Sequence, residues 1–257
     1  MTRAVHTTEV AIVTGGSGGI GRAIAEALAR SGRTVVITGR DEGRLLAACA
    51  AIGQSTGGTV EGLAADAGDT DAMRGVVART VDRFGRVDIL VNNAGTGSLV
   101  GIDQSTDAEL TRQFAPNVYG PAAAIGAAWP SMVARRAGCI VNISSWAARD
   151  PLPGFLIYSA TKSALNAITR SCWSEGKDHG IRAFTIGPGA VETDLLRSTF
   201  DASVMPPEAC MRPEDVAELV MECVDGRREE ALGSCLYIRR DPASGAVVID
   251  QDAASPA

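Results

Sequence analysis

Little in this chain suits metal chemistry. Its 257 residues include only two histidines, and its six cysteines, at 49, 139, 172, 210, 223 and 235, form no C-x-x-C pair. Metal sites need such ligands at short, fixed spacings, so no metal is expected. In a chain long enough to bury its own core, scattered thiols read as reduced, which points to a cytoplasmic protein. A basic excess is missing too: Lys and Arg number 24 against 30 Asp and Glu, the net charge is −6 and the pI is near 5.0. Nucleic-acid-binding surfaces usually carry a basic stripe, so no nucleic-acid partner is expected. No run approaches the roughly 18 apolar residues of a membrane span. Met1 to Val10 holds no apolar signal-peptide core. No linker rich in Pro, Gly or Ser and no repeat period divides the chain, so residues 1–257 read as one domain.

What the chain does have is apolar residues, 46% of the total, together with 29 glycines and only 4% aromatics. This composition suits helices packed closely on a sheet. Strand-like and helix-like segments alternate. Strands are expected at Glu9 to Thr14, Thr34 to Thr38, Thr59 to Ala64, Val87 to Val91, Cys139 to Ile143, Arg182 to Ile186 and Gly233 to Ile238. Helices are expected at Gly19 to Ser31, Asp41 to Ile52 (with Asp41 as N-cap), Asp69 to Phe84, Asn117 to Arg136 and Ser159 to His179. Such alternation calls for an α/β fold, a Rossmann-like doubly wound parallel sheet of about seven strands with helices on both faces. The stretch 190–211, with Pro206-Pro207, breaks the alternation and reads as a substrate loop. Residues 243–257 are small and polar and read as a loose tail.

The first strand runs into Thr14-Gly15-Gly16-Ser17-Gly18-Gly19-Ile20-Gly21, and a helix follows. Glycines there make a tight turn and let the backbone approach a pyrophosphate. The helix N-terminus then offers free N–H groups and a positive dipole. Further on, Tyr158 and Lys162 lie four apart on one helix face. A nearby ammonium favours a tyrosinate, so a lowered phenol pKa is expected. A phenol tuned in this way can exchange a proton with a carbonyl or alcohol oxygen.

Together these segments resemble the short-chain dehydrogenase/reductase superfamily. The resemblance runs from about Glu9 to Ile238 and rests on several motifs in order. T-G-x-x-x-G-x-G is met by Thr14, Gly15, Gly19 and Gly21, N-N-A-G by Asn92 to Gly95, and Y-x-x-x-K by Tyr158 and Lys162. Ser145 stands thirteen residues before Tyr158, the family's serine-to-tyrosine spacing, with Ser144 the neighbouring alternative. Asn117 matches the asparagine that supports a proton-relay water beside the lysine. Pro188, Gly189 and Thr193 fit the P-G-x-x-x-T segment that holds the nicotinamide carboxamide.

The resemblance implies a catalytic set of Asn117, Ser145, Tyr158 and Lys162. It implies cofactor contacts from Gly15, Ser17, Gly18, Gly19, Ile20, Gly21, Arg40, Asp66, Asn93, Ala94, Gly95, Pro188, Gly189, Val191 and Thr193, as well as from Tyr158 and Lys162. At the end of the second strand an acid would bind an NAD ribose, but here Gly39-Arg40 stands, and a guanidinium suits a 2′-phosphate. NADP(H) is therefore the expected cofactor. NAD(H) is the alternative left open by the adjacent Asp41 and the uncharged Gly18. The implied function is interconversion of a ketone and a secondary alcohol, with a small, largely apolar carbonyl or alcohol substrate. Trp146 to Ile157 and Leu195 to Met211 are expected to line its pocket, where Arg149 and Arg197 could meet an acidic group. An NAD-linked dehydrogenase working oxidatively and a non-catalytic cofactor sensor are the competing readings. A homo-oligomer, dimer or tetramer, is expected through the helices 117–136 and 159–179.

Overall fold

Four consecutive apolar residues, Val10–Val13, form β1, and all four are buried. A strand without alternation has neighbours on both faces. A computed structural model, which describes Thr8 to Asp252, shows those neighbours. Ala11 and Val13 join one core cluster with Ile24 and Leu28 of α1 (Gly19–Arg30) and Val216 and Val220 of α8 (Pro213–Val224). Ile12 joins the opposite cluster with Val76 of α3 (Thr70–Phe84) and Ala124 and Met132 of α5 (Gly120–Arg135). The period of two along the strand thus divides the core into two layers.

The remaining strands are β2 (Thr34–Gly39), β3 (Val60–Ala64), β4 (Ile89–Asn92), β5 (Gly138–Ile143), β6 (Ile181–Pro188), β7 (Cys235–Arg240) and β8 (Val247–Gln251). They form one sheet in the order β3-β2-β1-β4-β5-β6-β7-β8. The first seven run parallel and β8 is antiparallel to β7. After β3 the chain crosses from one side of β1 to β4 on the other. The loops leaving β1 and β4 therefore diverge and open a crevice at the carboxyl ends of the strands, where doubly wound folds bind ligands.

Several elements differ from the sequence expectation. The sheet has eight strands rather than about seven. The tail expected to be loose contains β8; only its residues 253–257 lie outside the described part, as do Met1 to Thr7 of the N-terminal segment. A hairpin makes this strand: Gly245 takes φ +69, and the Asp241 carboxylate accepts from Ser244 Oγ at 2.6 Å. The β-branched Val247-Val248-Ile249 then pairs with β7.

A short α4 (Asp107–Phe114), capped by Thr106, precedes α5. The helix expected to start at Asn117 instead begins with a π-helical turn at Ala115–Tyr119. Pro116 has no N–H for a helical ladder, and the wider turn accommodates it. The irregular stretch 190–211 contains α7 (Asp194–Arg197). Its ends are stapled by a bridge between Val191 and Met211. Of the other helices, α2 spans Glu42–Thr56 and α6 spans Leu156–Gly176. Among the described residues no helix is long and apolar enough to cross a membrane.

Candidate active site

The glycine loop and the segment after β4 are fastened together where the crevice opens. Thr14 Oγ1 accepts from the N–H groups of Asn93 and Ala94, each at 2.9 Å. In return Asn93 Nδ2 donates to the Thr14 carbonyl at 2.8 Å. Gly15 takes φ +66, which L side chains rarely adopt. A Cβ on Gly21 would stand 2.4 Å from the Gly15 carbonyl oxygen and 2.4 Å from Asn93 Nδ2. The N-cap of α1 is Gly18, which lends no side-chain cap, and the first turn holds no acid. Its leading N–H groups are left to an anion from outside the helix. This cradle, which any side chain at Gly15 or Gly21 would fill, fits a dinucleotide pyrophosphate. Ser17 belongs to this turn, and Ile20 to the first turn of α1. From across the crevice, Thr193 comes within 3.1 Å of where a Gly19 Cβ would lie.

At the far end of this crevice Arg40 is exposed after β2. Asp41 Oδ1 accepts from Arg44 N at 2.9 Å and caps α2, so this carboxylate is committed to the helix. Asp66 is exposed, and its Oδ1 accepts from Gly68 N at 2.8 Å.

The polar side chains expected to be catalytic converge at the carboxyl ends of β4 and β5. Asn117, fully buried in the π-turn, accepts from Thr96 N at 2.8 Å. It donates to the Thr96 carbonyl at 2.8 Å and to Thr161 Oγ1 at 2.9 Å. Thr161 in turn donates to the Tyr158 carbonyl at 2.7 Å. Asn117 thereby ties the loop after β4 to the first turns of α6. Lys162 is 4% exposed, and its Nζ donates to the Ile143 carbonyl at 2.9 Å. Burial pulls its pKa down to about 8. Glycine at 95 leaves room for this pair, since a Cβ there would stand 2.9 Å from Asn117 Oδ1 and 3.3 Å from Lys162 Nζ.

Two adjacent serines end β5, and the structure separates their roles. Ser144 is buried and donates to the Lys162 carbonyl at 3.1 Å, locking α6 to the sheet. Ser145 caps a short 3-10 turn, accepting from Ala147 N at 3.2 Å, and stands beside the Tyr158 phenol, where it favours the tyrosinate. The phenol differs from the sequence expectation. Its pKa is raised rather than lowered, because burial opposes the tyrosinate more than Ser145 favours it. Lys162 Nζ is 5.7 Å from the centre of the Tyr158 ring, so this ammonium faces the ring and the Ile143 carbonyl.

Pro188 ends β6, and Gly189 N donates to the Ile238 carbonyl at 2.8 Å. Val191 is buried in the bridge at the base of the 190–211 stretch. Above it Phe200 meets Phe155 edge-on at 6.0 Å, and Phe155 lies 5.2 Å from the Tyr158 ring. Leu99, Leu152 and Leu156, and Leu195 and Val204 of the 190–211 stretch, are exposed. Arg197 is not open to a ligand: one edge of its guanidinium, Nε and Nη2, donates to Glu192, and Nη1 donates to the Met205 carbonyl at 2.7 Å. It braces the loop on itself.

The family model described as short chain dehydrogenase matches residues 9–203. An uncharacterized oxidoreductase of Staphylococcus saprophyticus is 35% identical over 82% of this chain and 88% of its own length. Among solved structures, a 3-ketoacyl-(acyl-carrier-protein) reductase from Brucella melitensis complexed with NADH is 27% identical, with a TM-score of 0.83 over 90% of this chain and 96% of its own. A 3-oxoacyl (acyl-carrier-protein) reductase from Agrobacterium tumefaciens with NADP bound is 29% identical, with a TM-score of 0.81 over 89% and 92% of the two chains.

The chain belongs to the short chain dehydrogenase family. It is an oxidoreductase of that family, and of the two solved relatives one is complexed with NADH and the other has NADP bound. In this short chain dehydrogenase, Asn117, Ser145, Tyr158 and Lys162 are brought together, while Arg40 and Asp66 stand apart at the other end of the crevice. Two close neighbours escaped sequence reasoning. Thr161 lies three residues after Tyr158, a helical spacing that signals a shared face. Gly97 lies against the phenol, where a Cβ would stand 2.9 Å from Tyr158 Cδ2; nothing in its local sequence marks it.

Proposed function

We propose that this short chain dehydrogenase interconverts a ketone and a secondary alcohol with NADP(H), using Tyr158 as the general acid and base. The observation that carries this reading is the Tyr158 phenol beside Ser145, with the buried Lys162 Nζ 5.7 Å from its ring. When bound, NADP(H) supplies or accepts the hydride. The Ser145 hydroxyl positions the substrate oxygen beside the phenol. Tyr158 then donates its proton to that oxygen. Its raised pKa keeps it protonated near neutral pH, the form a carbonyl reduction needs. Lys162 assists with its charge and holds the ribose, and Asn117 fixes the geometry between them. The rim of Phe155, Phe200 and exposed leucines favours a largely apolar substrate, and residues 190–211 form the loop that covers it. Ala122, Gly126 and Pro130 leave small exposed positions on α5, which supports self-association through α5 and α6.

The preference for NADP(H) rests on Arg40 together with the commitment of Asp41 to capping. Titrating cofactor fluorescence with NADPH and NADH in parallel tests it. NADPH is expected to bind at least about tenfold tighter, an effect in the range of a charged hydrogen bond. Arg40→Ala is expected to erase that difference while leaving NADH affinity unchanged. Equal affinities in the wild type would refute the Arg40 argument and favour an NAD-linked dehydrogenase working oxidatively.

Gly21→Ala addresses the cradle. The new methyl meets a backbone oxygen that cannot retreat without moving the loop. Affinity for both nucleotides is expected to fall at least about tenfold, since displaced N–H groups each forfeit a charge-assisted hydrogen bond. Unaltered binding would show that the pyrophosphate does not lie on this turn.

A further inference from the structure

Trp146 directly follows Ser145, and two guanidinium groups converge on its ring. Arg149 Cζ lies 5.2 Å and Arg239 Cζ 5.3 Å from the indole. Arg149 also lies 5.3 Å from the ring of Tyr237, which meets Trp146 edge-on at 5.6 Å. Tyr237 is 1% exposed, and Asn166 Nδ2 donates to its hydroxyl at 3.2 Å, so the platform beneath the arginines is fixed. On the other side, a Cβ on Gly189 would stand 3.2 Å from Arg239 Cβ. The cluster is therefore wedged between Ser145-Trp146 and Pro188-Gly189, two segments that wall the candidate reacting centre.

These arginines are not used as the others nearby are. Arg240 donates to the Cys210 carbonyl at 3.0 Å and to the Gly245 carbonyl at 2.6 Å, which pins the β7–β8 hairpin. Among the described residues, neither the Arg149 nor the Arg239 guanidinium makes a hydrogen bond, though both pair with carboxylates. Both sit 3.8 Å from one carboxylate, Asp250 of β8, and Arg239 is 3.9 Å from Asp241. Their side chains keep 43% and 36% of their surface open. Stacked guanidiniums with idle N–H groups are preorganised for a planar or tetrahedral oxyanion.

We propose that Arg149 and Arg239, stacked on Trp146, bind a carboxylate of the substrate while its carbonyl lies at Tyr158. The inference rests on the ketone–alcohol reading and narrows it to oxo acids and their hydroxy acids. The apolar rim of Phe155 and Phe200 takes the chain, and the arginine pair takes the charge. Asp250 is a tethered carboxylate that holds the guanidiniums in place and competes for them.

The test compares straight-chain oxo-carboxylates with their methyl esters, using NADPH and the full chain. At the chain length that spans the two subsites, kcat/KM for the acid is expected to exceed that of the ester about tenfold, as befits a partly exposed charged contact. Arg149→Gln or Arg239→Gln brings the acid down to the level of the ester. Asp250→Asn moves the preference the opposite way, towards the acid. Arginines that merely held β8 would give the same sign for all three variants, and that result overturns the proposal. So does equal use of acid and ester at every length. Tryptophan fluorescence titrated with hexanoate gives a readout without turnover, and a saturable change lost in Arg149→Gln is expected. If no ketone is reduced but hexanoate still binds through the arginines, the reaction reading falls and the anion site stands. If hexanoate does not bind, the anion site falls whatever the reaction.

Discussion

Tyr158→Phe is expected to lower turnover of any ketone about 10³-fold, with NADPH affinity within about twofold of wild type. The change removes one oxygen and leaves the ring, which keeps its contact with Phe155 at 5.2 Å and with the loop at Gly97. Ser145 still accepts from Ala147 N. Stability should therefore shift by no more than about 1 kcal/mol, the net worth of one ordinary hydrogen bond. Steady-state kinetics and a denaturant titration check the two halves together. A variant that kept near-normal turnover would move the proton chemistry elsewhere, and one that failed to bind NADPH would recast Tyr158 as a binding residue.

Replacing Lys162 with Met should separate activity from stability. The lysine is nearly enclosed, and its Nζ has a hydrogen bond to one carbonyl, that of Ile143. Burial has lowered its pKa from 10.5 to about 8. Between these two values the unfolded chain still holds a proton that the folded protein has released. Stability therefore rises with pH across that window and is level below it. At pH 7 the buried ammonium is carried at a cost on the order of 3 kcal/mol. Lys162→Met removes that cost and retains much of the volume, so the cofactor-free protein should gain about 1–3 kcal/mol at pH 7. The gain should shrink as pH approaches 10.5, where the wild type is relieved as well. Turnover should fall at least about a hundredfold, because the charge behind the phenol is gone. Urea titrations at neutral and high pH measure the first effect. A destabilised variant at neutral pH would mean that the ammonium is better solvated than its enclosure indicates.

Some elements could be read from the sequence because local and global signals agree there. β1 is an apolar run that leads straight into glycines, and the fold needs both. Asp41 was legible as a cap because a short acid before an apolar periodic stretch has one common use. The β8 hairpin was also within reach. Asp241-Pro242-Ala243-Ser244-Gly245 is turn chemistry, and a β-branched run follows it, but small polar residues near a terminus drew the opposite reading.

Other features depend on distance in space rather than in sequence. No spacing rule links Asn117 to Thr96 and Thr161 across a π-turn, and none brings Arg239 of β7 onto the ring of Trp146. The direction of the Tyr158 shift was misread for the same reason. Proximity of a lysine in sequence says nothing of how much water either group loses on folding, and here desolvation outweighs the lowering contribution of Ser145. Arg197 shows the converse: its partner Glu192 is five residues away, close enough to have been paired in advance.

In the proposed reaction a hydride moves onto a carbonyl carbon while Tyr158 protonates the oxygen. NADPH deuterated at the transferring position of the nicotinamide, incubated with wild-type protein and an apolar ketone, tests it most directly. One deuterium is expected on the carbinol carbon of the alcohol, none on its oxygen after work-up in ordinary water, and alcohol formed about 10³-fold more slowly with Tyr158→Phe. Alcohol without deuterium on that carbon, or alcohol formed equally well by Tyr158→Phe, would contradict it.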